Sequence, residues 1–312
     1  MQVKRLSALL ITLTIVVFGN NISAATKKKQ EGYVNVNGGK IYYATYGEKN
    51  ASPIIVLHGG PGLDHGYLLP QMLDLARDHQ VTFYDQRACG KSLGFTLDSK
   101  TINIQAFVDD LEAVRKQLGY DKIILLGHSW GGLLAMNYAI QHPDKLQSLV
   151  LLDSAPATSN SFTLFLNEYV KRTTPLRPEL EKIERSAKFK EYDAETINDY
   201  YRKIFAVYFY KPALAQNLSL DFTQESAKSG LNLFAFFEQS YYKNYNLKSA
   251  LQKLQLPVLI VHGQTDIVPI ATAYEIKDFI PNSKIVVLQK CDHFPYIEQP
   301  KKFFAAIREF ID

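Results

Sequence analysis

Apolar and polar positions alternate over residues 33–46 around Asn37-Gly38-Gly39. That is the pattern of a β-hairpin closed by a tight turn. Beyond it the pattern changes. Pro53 to His58, Val81 to Asp85, Lys122 to Leu126, Leu149 to Leu152, Val258 to Val261 and Ile285 to Leu288 are short, nearly continuous apolar runs. Such runs suit strands buried on both faces, as in a parallel sheet. Between them lie helical stretches. Ile104, Phe107, Leu111, Val114 and Leu118 recur at steps of three and four, and Gly119 ends that helix. A second helix is expected from about Gly131 to Gln141 and a third between the last two strands, and Pro300 opens the last one. Strands alternating with helices predict an α/β fold, with a mostly parallel sheet of eight strands once the hairpin is included.

The alternation stops between residues 157 and 252. This stretch has no buried strand run, and it holds nine Phe and nine Tyr of the chain's 18 and 19. It is expected to be a helical cap inserted between a first core segment, residues 26–156, and a second, residues 253–312. Most of its rings should form the cap's own core. Some should face the ligand site, because an insertion at this point sits over the strand ends where ligands bind.

The N-terminus belongs to a different class of segment. Lys4-Arg5 is followed by an apolar run from Leu6 to Phe18 and then by Ser23-Ala24-Ala25. A basic start, a short apolar stretch and small residues describe a signal peptide, residues 1–25, cut after Ala25. The alternative is a retained anchor, for which the run is short. No cysteine follows the run, which argues against a lipoprotein anchor, and Lys27-Lys28-Lys29 reads as an exposed linker. The expected destination is the periplasm or the exterior, with no stable membrane association after cleavage. Lys4 and Arg5 supply two of the net +4 charges, so the rest of the chain lacks the concentrated basic face of a nucleic-acid binder. Cys89 and Cys291 make neither a disulfide framework nor a metal-site spacing, and two free thiols are expected.

The chemistry centres on Gly127-His128-Ser129-Trp130-Gly131, a G-x-S-x-G set directly after a strand and directly before a helix. That context puts Ser129 on a tight strand-to-helix turn as the candidate nucleophile, and the helix N-terminus favours a developing oxyanion. A serine hydroxyl needs a base to take its proton. His293 follows the last strand and fills that place in chain order. His58 and His128 lie inside motifs as packing or loop-shaping groups; His65, His79 and His142 read as surface or loop residues, and His262 as structural. The acid that orients the imidazole should follow a strand between nucleophile and base. Asp266 fits, with Asp153 as the alternative, while Asp292 reads as shaping the loop beside His293. The order Ser129, Asp266, His293 is that of α/β-hydrolases. Backbone donors for the oxyanion are expected from Trp130 N–H and from the glycine-rich loop His58-Gly59-Gly60-Pro61-Gly62.

His58-Gly59-Gly60-Pro61-Gly62, Asp85-Gln86-Arg87-Ala88-Cys89-Gly90-Lys91-Ser92 and Gly127-His128-Ser129-Trp130-Gly131-Gly132 together resemble the proline iminopeptidases, a family of α/β-hydrolases. The resemblance covers about 33–155 and 255–312. It implies an oxyanion hole made by Gly60 and Trp130, and removal of an N-terminal residue, often proline, from short peptides. Family members bind the substrate's ammonium with acidic cap residues. The segment Phe236-Phe237-Glu238-Gln239-Ser240 is similar to one that carries such an acid, so the resemblance makes Glu238 the substrate-binding candidate; the alternative is a solvated glutamate on a helix face. The family's earlier cap glutamate has no match here. Ala88 and Asp292 stand where glycines are usual. Arg87 reads as a structural salt-bridge former, with a place near the substrate as the alternative.

The sequence thus predicts a serine hydrolase working through an acyl-enzyme, without cofactor or metal, on a small peptide or ester. An aminopeptidase for N-terminal proline or small apolar residues is the leading reading. A carboxylesterase or lactonase is the alternative, and a non-catalytic binding protein on a hydrolase fold comes third. Phosphate-loop and dinucleotide motifs are absent. Oligomeric state has no signature in the sequence.

Overall fold

A computed structural model describes residues 28–48 and 52–312. The signal-peptide reading of residues 1–25 lies outside them. The strands are β1 (Lys28–Val36), β2 (Gly39–Tyr46), β3 (Ile54–Leu57), β4 (Val81–Tyr84), β5 (Ile123–His128), β6 (Leu146–Leu152), β7 (Val258–Gly263) and β8 (Ser283–Leu288). They form one sheet in the order β1-β2-β4-β3-β5-β6-β7-β8. β1, β2 and β4 pair antiparallel, and every pairing from β4 through β8 is parallel. The hairpin turns at Asn37-Gly38, where Gly38 has φ +89°, a conformation glycine adopts without steric cost. Lys28 and Lys29 belong to β1, so the linker expected at Lys27–Lys29 gives way to the start of the edge strand.

The helices are α1 (Ile104–Gln117), α2 (Trp130–Gln141), α3 (Ser159–Thr173), α4 (Arg177–Glu184), α5 (Ala187–Lys190), α6 (Ala194–Ala206), α7 (Gln224–Gln239), α8 (Lys248–Leu251), α9 (Ile270–Phe279), α10 (Pro295–Glu298) and α11 (Pro300–Ile311). In β3, Ile55 and Leu57 pack into one apolar layer with residues of α1, α2 and α9. Ile54 and Val56 pack into the opposite layer with Phe303, Phe304 and Ile307 of α11. A strand that alternates between two cores is apolar on both faces, which is why polar residues are few in these runs; buried Thr82 of β4 pairs its hydroxyl with that of Thr45 at 3.0 Å. α2 is buried from Trp130 to Ala139, as expected of a helix apolar on every side. Helices α3 to α8 fill the interval between β6 and β7. Among the described residues no helix is long and apolar enough to cross a membrane.

Candidate active site

Ser129 lies between β5 and α2 with φ +57° and ψ −121°. A non-glycine residue there is strained, by an amount on the order of 1–3 kcal/mol. The surroundings hold it in place. Its N–H donates to Leu152 O at 3.0 Å, and its carbonyl accepts from Gly132 N–H and Ala155 N–H, both at 2.9 Å. The flanking glycines are forced by contact: a Cβ on Gly127 would sit 2.3 Å from Gly131 O, and one on Gly131 would sit 2.5 Å from Leu57 O.

His293 is buried in the loop after β8. Its N–H donates to Tyr208 O of the cap at 3.1 Å, and its carbonyl oxygen lies 2.9 Å from His128 Nε2. Its Nδ1 is 2.9 Å from Asp266 Oδ1, an oxygen that also accepts from Val268 N–H at 3.0 Å. Asp266, and not Asp153, is therefore hydrogen-bonded to the imidazole. Burial, with the Arg172 guanidinium nearby, lowers the His293 pKa to about 3, so the ring is neutral and able to accept a proton. Asp292 shapes its loop from both oxygens. Oδ1 accepts from Ile267 N–H at 2.8 Å, and Oδ2 pairs with Arg172 Nη1 at 2.6 Å.

The glycine-rich loop after β3 is tied to the turn at Ser129 by two residues. Gln86 donates from Nε2 to His58 O at 2.7 Å and accepts from Trp130 Nε1 at 2.8 Å. Tyr67 Oη accepts from Gly59 N–H at 2.7 Å and bonds His128 Nδ1 at 2.6 Å. Gly59 N–H is thus occupied, whereas the N–H groups of Gly60 and Trp130 have no partner among the described residues. The Asp-Gln-Arg motif is scaffold. Asp85 accepts from His65 N–H and Lys91 N–H at 3.0 and 2.8 Å, and Arg87 grips Asp110 with two bonds of 2.6 and 2.7 Å.

A cavity of about 360 Å³ opens over Ser129, Gly60 and His293, lined mainly by aromatic and aliphatic cap residues such as Phe162, Tyr169, Tyr201 and Tyr208. Glu238, near the end of α7 and exposed, is, among the described residues, the one lining residue with a formally charged side chain other than histidine. Cys89 and Cys291 are free and buried. Among the described residues, Asp153, His262 and Asp266 form a cluster with ligand atoms within 4.8 Å of one another, but Asp266 Oδ1 is committed to His293 and Val268, and His262 Nε2 contacts Val268 O at 2.8 Å.

His65 and His79 lie in the connection between β3 and β4, as loop residues, but both are anchored: His79 is buried with Nε2 3.2 Å from Asp312, and His65 is held by Asp85 Oδ1 at 2.7 Å. Arg172 and Tyr67 were not singled out by the sequence. Arg172 meets its partner 120 positions away, and no local pattern marks such a contact.

Residues 52–300 match the family model described as alpha/beta hydrolase fold. The proline iminopeptidase of Saccharolobus solfataricus is 32% identical over 295 residues, 91% of this chain and 92% of that protein. The crystal structure of proline iminopeptidase from Mycobacterium smegmatis superposes with a TM-score of 0.62 at 25% identity, covering 90% of this chain and 97% of that one. A thermophilic esterase from Thermogutta terrifontis superposes at 0.67 with 23% identity over 90% and 97% of the two chains. The chain belongs to the α/β-hydrolase fold family and, within it, to the serine hydrolases of the proline iminopeptidase family.

Proposed function

We propose that this enzyme releases N-terminal proline or small apolar residues from short peptides, with Ser129, His293 and Asp266 as its triad. The observation that carries this reading is the cavity over Ser129: apolar walls suited to a proline-like ring, and one carboxylate, Glu238, among its lining residues. A substrate ammonium entering an apolar site needs an anionic partner. Ser129 Oγ attacks the scissile carbonyl and His293 takes its proton. Gly60 N–H and Trp130 N–H hold the oxyanion. His293 then protonates the leaving amine, and water releases the acyl group from Ser129 by the same steps in reverse order.

A second reading, an esterase or lactonase, draws on the same cavity. Glu238 is exposed rather than enclosed, and among the described residues no second carboxylate lines the walls. The test is hydrolysis of proline β-naphthylamide, its N-acetylated form and p-nitrophenyl acetate by the mature protein. Cleavage of the free-amine amide and not of its acetylated form supports the aminopeptidase; cleavage of the ester alone supports the second reading. Loss of fluorophosphonate labelling in Ser129→Ala tests the nucleophile directly. We also propose export to the periplasm or beyond, on the strength of residues 1–25; a mature N-terminus at Thr26 is the expected result of mass spectrometry.

A further inference from the structure

β6 and β7 run side by side, with Leu152 opposite Val261, so the loops after them emerge together. The first residue past β6 is Asp153. It has φ +42°, its N–H donates to Val261 O at 2.9 Å, and its Oδ1 accepts from Gly263 N–H at 2.7 Å. Asp153 and Asp266 both have fully buried side chains. A carboxyl oxygen of one lies within 4.8 Å of a carboxyl oxygen of the other, so the two groups interact directly. On each, Oδ2 is buried and has no hydrogen-bond partner among the described residues, which leaves these oxygens free to share a proton.

Two carboxylates in dry contact cannot both ionise, and a hydrogen bond between them requires one proton. The donors around the pair decide where it resides. Asp266 receives N–H groups from Val268 and His293, whereas Asp153 receives only that of Gly263. A carboxylate with more donors holds its charge better. Burial pushes both carboxyls well up, and the neighbouring Asp266 pushes that of Asp153 further. Of the other groups facing the pair, the Arg172 guanidinium favours the charged form of Asp266, and no cation does the same for Asp153 among the described residues. His262 Nδ1 lies 3.8 Å from Asp153 Oδ1, but burial keeps that ring neutral by lowering its pKa to about 4. The charge of Asp292 is matched by Arg172. Burial keeps Cys291 and Tyr296 protonated.

We propose that Asp153 is a positioning residue: a neutral carboxylic acid that donates its proton to Asp266 and so holds the triad acid as a singly charged anion aimed at His293 Nδ1. This rests on the triad reading above. It assigns to Asp153 a task different from that of an alternative acid, since Asp153 acts through Asp266 and carries no charge of its own.

The experiment compares Asp153→Asn with Asp153→Leu. An asparagine amide can still donate to Asp266 and accept from Gly263, with no change in charge. Asp153→Asn is therefore expected to keep kcat within about threefold of wild type and leave the acid limb of kcat/KM in place. Leucine removes the donor, and kcat is expected to fall about 10- to 100-fold with KM nearly unchanged. Equal damage from both variants, a downward shift of the acid limb in Asp153→Asn, or full activity in Asp153→Leu overturns the proposal. Should Asp153→Leu fail to fold, the infrared spectrum decides: a protonated-carboxyl C=O band in wild type at neutral pH, missing from Asp153→Asn, is expected, and its absence from wild type is fatal. Asp266→Asn, run in parallel, should lower kcat by about four orders of magnitude. Survival of its activity sinks the triad assignment, while the infrared band still reports on Asp153.

Discussion

The backbones of Gly62 and Gly230 meet where the glycine-rich loop after β3 touches α7: a Cβ on Gly230 would lie 2.3 Å from Gly62 O, and one on Gly62 would lie 2.4 Å from Gly230 O. Gly62 also has φ +105°, so its conformation favours glycine. Gly230 is mid-helix, where glycine costs about 1 kcal/mol relative to alanine. Close approach explains why it is there. The same helix carries Glu238 two turns further on, so this contact ties the helix of Glu238 to the loop that carries Gly60.

Gly230→Ala should therefore improve the helix locally yet damage the site. The expected result is a kcat/KM on the order of 10-fold or more lower, because α7 or the glycine-rich loop must shift. Fluorophosphonate labelling of Ser129 should slow in step. Steady-state kinetics and labelling rates check this, and an unchanged kcat/KM would show that the contact relaxes without reaching the site.

Arg172 fastens the cap to the loop of His293. It donates to Asp292 Oδ2 and to Thr265 O, both at 2.6 Å, and to Val207 O at 3.0 Å. Asp292 is nearly fully buried, so truncating Arg172 strands a carboxylate. Arg172→Met is expected to cost about 2–3 kcal/mol, below the usual price of breaking a buried pair because the arginine is partly exposed. Asp292→Asn in the same background should recover part of that loss. A double-mutant cycle by denaturant melts measures the coupling; additive effects would mean that the pair contributes nothing beyond its parts.

These contacts also mark what the sequence could not show. The strands, the nucleophile turn and the chain order of Ser129, Asp266 and His293 depend on local patterns: apolar runs, glycines at a steric pinch, a residue directly after a strand. Each was legible. β1 runs further toward the N-terminus than the alternation indicated because Lys28 to Gly32 lie on an edge strand, paired on one side only, where polar residues are tolerated. The burial of His79, the Arg172 clamp and the contact between Asp153 and Asp266 depend on segments separated by tens to hundreds of positions. No periodicity encodes which of two acids, each following a strand, will reach the imidazole.

The acidity of His293 sets a pH prediction. A base must be unprotonated, and burial holds this imidazole near a pKa of about 3, well below its ordinary value. The neutral form is kept as pH falls through 6.5 and is lost only on approach to the lower value. kcat/KM should accordingly stay flat from neutrality to below about pH 5.5, limited then by His293 or by unfolding. The same sign applies to stability: the unfolded chain takes up this proton near pH 6.5 and the native chain does not, so the contribution of His293 is present above that value and fades below it. Arg172→Met removes a nearby cation and should move the acid limb upward. An acid limb near 6.5 in the wild type would indicate that water reaches the imidazole.

Glu238 offers the sharpest test of substrate choice. It lies in the last turn of α7, where the negative end of the helix adds to its own charge in favouring an ammonium. Because it is exposed, the ion pair should be worth about 1 kcal/mol, not the several of a buried pair. Glu238→Gln is thus expected to raise KM for proline β-naphthylamide about fivefold, leave kcat nearly unchanged, and spare p-nitrophenyl acetate. Salt should weaken wild-type binding of the amide in the same direction. An equal effect on both substrates would reduce Glu238 to a structural residue. A free-amine requirement that survives the substitution would place ammonium recognition on the aromatic faces lining the cavity, where a desolvated cation–π contact is worth about 2 kcal/mol; Tyr169 and Tyr201 would then be the rings to truncate.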